Sequence, residues 1–266
     1  MAKRTIAGSR GIVTGASSGI GRAIAVALAK EGARVLAVAR REDRLAELAA
    51  AWIAPATQAE VGGSIQLLAG DICDPAIRSR AVAQAQESFG GLDFLVNAAG
   101  ISSVNRFAES SPQRLREIME VNFFAPAELM RVALPALREG LRPIIVNLGS
   151  ILGHRGIPRH ADYCSSKFAL QGFSESLRPE LARLGIDLLV VSPGTTKTEL
   201  YSSDAGRDQL PWRPPAGVSP EYVAQKTVQA MAAGRRAIIP NPRGRLLVCL
   251  SRGCPWLVDR LMARYG

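Results

Sequence analysis

Short apolar runs alternate along the chain with longer segments in which apolar residues recur at helical spacing. The runs that predict strands are 11–14, 33–39, 65–69, 92–96, 144–148, 187–191 and 237–239. The segments that predict helices are 22–30, 75–89, 112–138, 160–177 and 220–233. Strands that alternate with helices form a parallel sheet covered on both faces. We therefore predict an α/β fold built on one mostly parallel sheet.

A glycine-rich turn, G-A-S-S-G-I-G, follows the first predicted strand and precedes an Ala-rich helix. Gly15, Gly19 and Gly21 permit a sharp turn and the close approach of a ligand, while the amide groups that start the helix attract a pyrophosphate. A glycine-rich turn alone is also compatible with an ordinary loop. The strand before it and the helix after it favour dinucleotide binding.

The tip of the second strand is the position at which a dinucleotide fold contacts the adenosine ribose. An acid there accepts hydrogen bonds from a free 2′-hydroxyl, whereas arginine favours a 2′-phosphate. This chain places Ala39, Arg40 and Arg41 at the tip, and Glu42 and Asp43 are expected in the first turn of the next helix. We predict that the chain binds NADP(H) rather than NAD(H). The alternative is that both arginines are only solvated side chains on a loop.

Polar and small residues follow several predicted strands at the carboxyl edge of the sheet, where open α/β folds bind ligands. The third strand ends in Gly70 and Asp71, and the fourth ends in Asn97, followed by Ala98, Ala99 and Gly100. These small residues admit a flat ligand. Asn97 either lines that ligand site or only caps the end of its strand.

Tyr163 and Lys167 lie four residues apart and share one face of a predicted helix. An ammonium beside a phenol stabilises the phenolate and lowers its pKa, which makes Tyr163 a candidate acid or base. The alternative is a chance pair on a solvated helix face. Ser150 has no neighbouring base and fits a hydrogen-bond donor to a substrate oxygen. Asn122 lies inside an apolar stretch. It either makes a local structural hydrogen bond or forms part of a polar site.

Six motifs occur together in one order along the chain. They are T-G-A-S-S-G-I-G at 14–21, N-A-A-G at 97–100, Asn122, Ser150, Y-C-S-S-K at 163–167 and P-G-T-T-K-T at 193–198. In this set the sequence resembles a classical short-chain dehydrogenase/reductase (SDR). The resemblance implies a single Rossmann-type domain with a doubly wound, seven-stranded sheet, helices on both faces and a nicotinamide cofactor. Departures from the family pattern are small: Gly149 and Ser165 replace a common Ser and a common Ala, and Thr196 replaces an apolar residue.

The resemblance also implies a role for each matching residue. Tyr163 would exchange a proton with the substrate oxygen, Ser150 would hold that oxygen, and Lys167 would lower the Tyr pKa and bind the nicotinamide ribose. Asn122 would hold a water that links Lys167 to solvent. The implied catalytic residues are Asn122, Ser150, Tyr163 and Lys167. The implied cofactor-binding residues are Gly15, Ser17, Ser18, Gly19, Ile20, Gly21, Arg40, Arg41, Asp71, Ile72, Asn97, Ala98, Gly100, Tyr163, Lys167, Pro193, Gly194, Thr196 and Thr198. Among these, Asp71 and Ile72 would contact the adenine and Thr198 the carboxamide.

The expected function is NADPH-dependent reduction of a ketone or aldehyde, with the reverse alcohol oxidation open. One alternative is an NAD-linked alcohol dehydrogenase that works oxidatively, against which Arg40 and Arg41 argue. Another is a non-catalytic NADP(H)-binding sensor, which would not need the four implied chemical residues. The resemblance implies a small-molecule carbonyl or alcohol substrate and a homodimer or homotetramer.

We expect one dinucleotide-binding and catalytic domain over 1–266, with a substrate lid around 199–219. The segment 201–217 contains Trp212 and three prolines, which suits a loop closing over substrate or a passive connection. The extension around 243–266 mixes apolar residues with arginine and is too interrupted to span a bilayer. A helix pair packed on its own domain or on a sister subunit is favoured there over an interfacial membrane anchor with a lipophilic substrate.

Composition and charge argue against a nucleic-acid-binding protein, a metal site and a secreted protein. The formal charge is +10, and seven arginines against one acid lie between 235 and 266, without a nucleic-acid-binding motif. A basic surface is therefore favoured over nucleic-acid binding. Four cysteines without C-x-x-C spacing and two histidines predict free thiols and no metal site. The N-terminus has no apolar stretch, so we expect no secretory signal and a cytoplasmic protein.

Overall fold

The computed structural model describes residues 3–53, 62–201 and 216–265. Its strands are β1 Arg10–Thr14, β2 Arg34–Ala39, β3 Ser64–Ala69, β4 Phe94–Asn97, β5 Ile144–Leu148, β6 Asp187–Val191 and β7 Ala237–Ile238. They form one sheet in the order β3-β2-β1-β4-β5-β6-β7, and each neighbouring pair is parallel. The order reverses between β1 and β4, which is the switch point where such sheets bind ligands. The predicted doubly wound fold is confirmed.

The helices lie between the strands and after the last one. They are α1 Gly19–Lys30, α2 Glu42–Ile53, α3 Pro75–Phe89, α4 Pro112–Met119, α5 Ala125–Arg138, α6 Ala161–Arg183, α7 Pro220–Ala232, α8 Pro242–Gly253 and α9 Pro255–Met262. Asp74, Ser111 and Ser219 cap the starts of α3, α4 and α7, and each accepts a hydrogen bond from a backbone N–H of the first turn. Proline follows each of these caps, where its missing N–H costs no helical hydrogen bond.

Two apolar cores cover the two faces of the sheet. Ile12 and Leu36 belong to the core under α3 and α5, while Val13 and Ala37 belong to the core under α1 and α7. Successive strand residues thus point to opposite faces, and both faces are buried. This explains why the strands read as continuous apolar runs rather than as alternating ones.

The long helix predicted over 112–138 is divided by a π-helical turn, Glu120–Phe124, between α4 and α5. Pro126 lies in the first turn of α5 and has no N–H to donate to the carbonyl one turn earlier, at Asn122. The wider turn is closed by a hydrogen bond from the N–H of Ala125 to the carbonyl of Glu120. Such turns recur at functional sites, and this one contains Asn122.

Part of the predicted lid lies outside the described residues, namely 202–215 with Trp212. The predicted extension forms α8 and α9, followed by a short 3₁₀ turn, Ala263–Tyr265. Cys73, Cys164, Cys249 and Cys254 are free thiols. Across the described ranges, none of the helices combines the length and apolar character needed to cross a bilayer.

Candidate active site

The turn after β1 forms the floor of a cleft at the switch point. Gly15 has φ +66°, and a Cβ on it would lie 2.7 Å from the backbone of Ala99. A Cβ on Gly21 would collide with the carbonyl oxygen of Gly15. Ser18 begins α1 in an extended conformation without a side-chain cap, and the first turn contains no acid. The amide groups at the start of α1 therefore remain suited to an anion.

Thr14 holds the opposite wall of the cleft in place. Its Oγ1 accepts hydrogen bonds from the backbone N–H of Ala98 (3.1 Å) and of Ala99 (3.2 Å). It is 2% exposed at the end of β1. One side chain thus fixes the segment after β4 against the glycine turn, and it leaves a narrow space between two stretches of small residues.

Two arginines lie at the β2 end of the cleft. Arg41 donates to Ser18 Oγ (2.6 Å) and Ser17 Oγ (3.1 Å) and pairs with Glu199 Oε2 at 2.8 Å. Arg40 approaches Asp71 Oδ2 at 3.8 Å. The hydrogen bond from Arg41 lowers the pKa of Glu199, which therefore stays ionised. This end of the cleft presents guanidinium groups suited to a phosphate.

Tyr163 and Lys167 lie in the first turns of α6, and each is only 5% exposed. Lys167 Nζ is 5.7 Å from the centre of the Tyr163 ring and donates to the carbonyl oxygen of Leu148 at 2.9 Å. Burial lowers the pKa of Lys167 to about 8. The ammonium is therefore still the main form at neutral pH, and it lies on the same side of the helix as the phenol.

Ser150 joins this wall from the end of β5. Its Oγ accepts from the backbone N–H of Leu152 at 3.1 Å and begins the 3₁₀ turn Ile151–Gly153. A Cβ on Gly153 would lie 2.7 Å from the carbonyl oxygen of Lys167, so the turn packs directly on α6. Leu152 and Tyr163 belong to one small apolar cluster. The fold therefore brings Ser150 and Tyr163 to the same wall.

Asn122 is 1% exposed, and both polar atoms of its side chain form hydrogen bonds. Its Nδ2 donates to the carbonyl of Ile101 and to Ser166 Oγ, and its Oδ1 accepts from the N–H of Ile101, each at 2.9 Å. A Cβ on Gly100 would lie 3.2 Å from Asn122 Oδ1 and 3.7 Å from Lys167 Nζ. Asn122 thus makes local structural bonds and also lies at the junction of the cleft and the α6 wall.

Known proteins share the sequence pattern of this chain. A family model described as short chain dehydrogenase matches residues 11–208. The chain belongs to the short chain dehydrogenase family. Membership in this family makes the protein an oxidoreductase. Dehydrogenase/reductase SDR family member 7B of Bos taurus is 32% identical over 261 residues, which cover 95% of this chain and 79% of that relative. Ketoacyl reductase HetN of a Nostoc species is 33% identical over 269 residues, covering 98% of this chain and 91% of the relative.

Two solved structures of short chain dehydrogenases share the fold. One, from Burkholderia cenocepacia in complex with NADP, superposes with a TM-score of 0.80 at 25% identity and covers 97% of this chain and 99% of that one. The other, from Burkholderia phymatum in complex with NAD, gives a TM-score of 0.84 at 24% identity and covers 96% of each chain.

Most of the sequence-predicted cofactor residues of this short chain dehydrogenase line the cleft. They are Gly15, Ser17, Ser18, Gly19, Ile20, Gly21, Arg40, Arg41, Asp71, Ile72, Ala98, Gly100 and Thr198. Asn97 instead donates to Asn147 Oδ1 at 2.9 Å inside the sheet. Thr196 donates to the carbonyl of Gly194, and Pro193 accepts from the N–H of Ile151. These residues support the walls of the site rather than line the cleft.

Other residues of the cleft were not among the predicted cofactor-binding residues. Three of them, Ala39, Gly70 and Ala99, were placed at the ligand edge of the sheet, and the others are Val38, Ile101, Val121, Glu199 and Leu200. Several are neighbours of predicted positions, and adjacency to Asn97 or Asn122 was the available signal. Glu199 had no such signal, because it meets Arg41 from 158 positions further along the chain.

Proposed function

We propose that this short chain dehydrogenase is an NADPH-dependent reductase of ketones or aldehydes, reversible toward alcohol oxidation, with Tyr163 as the proton donor. The observation that carries the proposal is the buried Lys167 ammonium beside the Tyr163 ring, next to the cleft. A buried cation favours the phenolate, and a phenol that ionises easily releases its proton readily to a substrate oxygen.

The cleft fits a nicotinamide dinucleotide. Side chains at Gly15 and Gly21 would collide with the backbone that forms its walls, and the uncapped start of α1 suits a pyrophosphate. Arg40 and Arg41 would hold the adenine end, and Thr198 and Lys167 the nicotinamide end. The bound cofactor supplies or accepts the hydride.

The chain's own residues would manage the proton and the substrate oxygen. Tyr163 would donate its hydroxyl proton to that oxygen, while Lys167 stabilises the resulting phenolate. Ser150 Oγ already accepts from the N–H of Leu152, so its hydroxyl hydrogen can point to the substrate. Asn122 would fix the position of α6 through Ser166, which donates to the carbonyl of Tyr163 at 2.8 Å.

Two observations support NADPH and carbonyl reduction in particular. Arg41 already directs its guanidinium at hydroxyl and carboxylate oxygens, and a 2′-phosphate offers the same kind of acceptor with more charge. A relative, HetN, is named a ketoacyl reductase. One structural neighbour binds NADP and the other binds NAD, so the two complexes favour neither cofactor. The proposed preference for NADPH therefore depends on the arginines of this chain.

Replacement of Tyr163 by Phe tests the proposal. Tyr163→Phe should bind NADPH as the parent protein does, by isothermal titration, but turn over ketones at least about 10²-fold more slowly. Tyr222→Phe is the matched control. Tyr222 also precedes a lysine by four residues but donates to the carbonyl of Pro240, far from the cleft, so turnover should not change.

Other outcomes would contradict the proposal in distinct ways. Full turnover by Tyr163→Phe would remove the proton-donor role. Tight NADPH binding without turnover across aldehydes and ketones of graded size would favour a non-catalytic sensor. Preferential alcohol oxidation with NAD would favour an NAD-linked dehydrogenase.

A further inference from the structure

The two C-terminal helices expose an unusual number of apolar side chains. Among residues 242–264, only Gly244, Val248 and Val258 are buried. The exposed large side chains, with their exposed fractions, are Leu246 (61%), Leu250 (43%), Trp256 (66%), Leu257 (48%) and Leu261 (47%). We call these five, with the exposed arginines of residues 242–264, the tail surface. Exposure of this many large apolar groups on one structural unit marks an interaction site.

The apolar residues of the tail surface follow helical spacing. In α8, Gly244 and Val248 face the body of the protein, and Leu246 and Leu250 lie two residues further, about 200° around the helix. Leu257 and Leu261 form the corresponding exposed pair in α9. Each helix thus turns an apolar row outward that packing against its own domain does not use. The inner row of α8 packs on its own domain, and whether a sister subunit covers the outer row stays a prediction.

The tail surface is also strongly cationic. Its exposed arginines are Arg243, Arg245, Arg252, Arg260 and Arg264. Asp259 is the one acid in this part of the sequence, and it pairs with Arg155 of the domain body. The arginines therefore have no acid of their own helices left to neutralise them. Leucine, tryptophan and unneutralised arginine together are the composition of an interfacial membrane helix.

From this combination we propose that the tail surface docks the protein on an anionic lipid bilayer. A second copy is a poorer occupant, because a twofold contact would place arginine rows opposite each other without acids to pair them. A nucleic acid would satisfy the arginines but would leave the outward leucines and Trp256 in water. A bilayer accepts both groups, since apolar side chains enter the acyl boundary and arginines meet the lipid phosphates.

The helices that carry the tail surface pack against the substrate side of the site. A Cβ on Gly244 would lie 2.9 Å from Ile151, which directly follows Ser150, and Asp259 pairs with Arg155 at 2.5 Å. The outward apolar rows lie on the far side of these helices, so docking would place the wall that contains Ser150 one helix diameter, roughly 10 Å, from the lipid. This part of the inference rests on the proposed function: the substrate class becomes a lipophilic ketone or aldehyde taken from the membrane.

Vesicle flotation of the full-length protein tests the docking. Binding to phosphatidylcholine vesicles that contain phosphatidylglycerol should be at least ten-fold stronger than to phosphatidylcholine alone, and salt should weaken it. Replacing Arg243, Arg252 and Arg260 together with Gln should reduce binding by about 10²-fold, since each arginine near an anionic surface contributes about a factor of five. Leu246→Ser combined with Leu257→Ser should also abolish flotation.

The chain offers matched controls for both variants. Leu141→Ser removes a still more exposed leucine (77%) just before β5, at the amino edge of the sheet, and Arg80→Gln removes an exposed arginine of α3. Both should float like the parent protein. Absence of binding to anionic vesicles, or unchanged binding by the tail variants, would overturn the proposal.

Light scattering separates the remaining outcome. If the leucine variants convert an oligomer to monomers without lipid, the tail surface is a contact between copies and the membrane proposal is wrong. Normal flotation by a protein that reduces no carbonyl would instead refute the proposed function and leave docking intact. Higher kcat/KM for long-chain than for short-chain ketones in vesicles would support the substrate class, and the opposite order would refute it.

Discussion

At the residue scale, two Tyr–Lys pairs with the same spacing show what decides a site. Lys167 Nζ and Lys226 Nζ each lie 5.7 Å from the centre of the tyrosine ring one turn earlier, Tyr163 and Tyr222. The sequence spacing is therefore identical, and so is the local contact. The difference is burial, since Lys167 is 5% exposed and Lys226 is half-buried beside Gln229. The sequence favoured Tyr163 and Lys167 because of the motifs around them, and their role in a site beside the cleft stays a prediction.

Lys167→Met should change stability in a pH-dependent way. Burial lowers the pKa of Lys167 from 10.5 to about 8, so below pH 8 the folded protein carries a desolvated charge that destabilises it. As pH rises from 8 to 10.5 the folded form loses this proton first, and the wild type gains stability relative to Lys167→Met by up to about 3 kcal/mol. Urea unfolding across this range measures the difference, and Lys226→Met is the control. A constant difference would contradict the assignment.

Glu199→Gln should tighten NADPH binding while NADH binding stays the same. Glu199 shares the Arg41 guanidinium with Ser17 and Ser18, and its negative charge opposes a 2′-phosphate at that position. Exposed ion pairs contribute little, so the expected gain is about two- to five-fold in Kd. Titration with both cofactors measures it. Equal gains for NADPH and NADH would show that Arg41 does not contact a 2′-phosphate, and Glu47→Gln, which frees the nearby Arg44, should change neither.

At the element scale, the sequence predicted most strands and helices because each has a periodic or continuous apolar pattern. The strand β1 and the helix α1 were predicted to within a few residues for this reason. The π-helical turn Glu120–Phe124 had no such pattern. It is closed by the N–H of Ala125, and Asn122 within it bonds to Ile101, which is 21 residues away in the sequence. Contacts of this range are set by the fold and not by local spacing.

Asn122→Ala should destabilise the protein through this turn. The substitution leaves the N–H and C=O of Ile101 without their amide partner in a partly buried setting, where each unsatisfied group costs at most about 1–3 kcal/mol. Chemical denaturation measures the loss. Gln113→Ala, on the exposed face of α4, should stay within about 0.5 kcal/mol of the parent protein. Equal stability of the two variants would mean that the amide network does not hold the turn.

At the scale of the whole molecule, the ligand sites follow from the topology. The reversal between β1 and β4 separates the glycine turn from the segment after β4, and the α6 wall closes one end of this gap. Five arginines and one acid lie beyond β7, on the side where Arg155 and Ile151 meet the tail, and they contribute four of the ten excess positive charges. The sequence showed this charge but not its relation to Ser150, because nearly a hundred residues separate them.

Asp259→Asn should uncouple membrane docking from catalysis. The Arg155–Asp259 pair ties α9 to the segment that follows Ser150, so a docked tail should hold that wall at the lipid. We expect anionic vesicles to raise kcat/KM of the wild type for a long-chain ketone. Asp259→Asn should float at least as well, since the tail gains a net positive charge, but should lose most of the activation. Asp187→Asn is the control: it breaks the ion pair with Arg4 at the amino edge of the sheet and should keep the activation by vesicles. Equal activation of both variants would show that the ion pair does not couple the tail to the site.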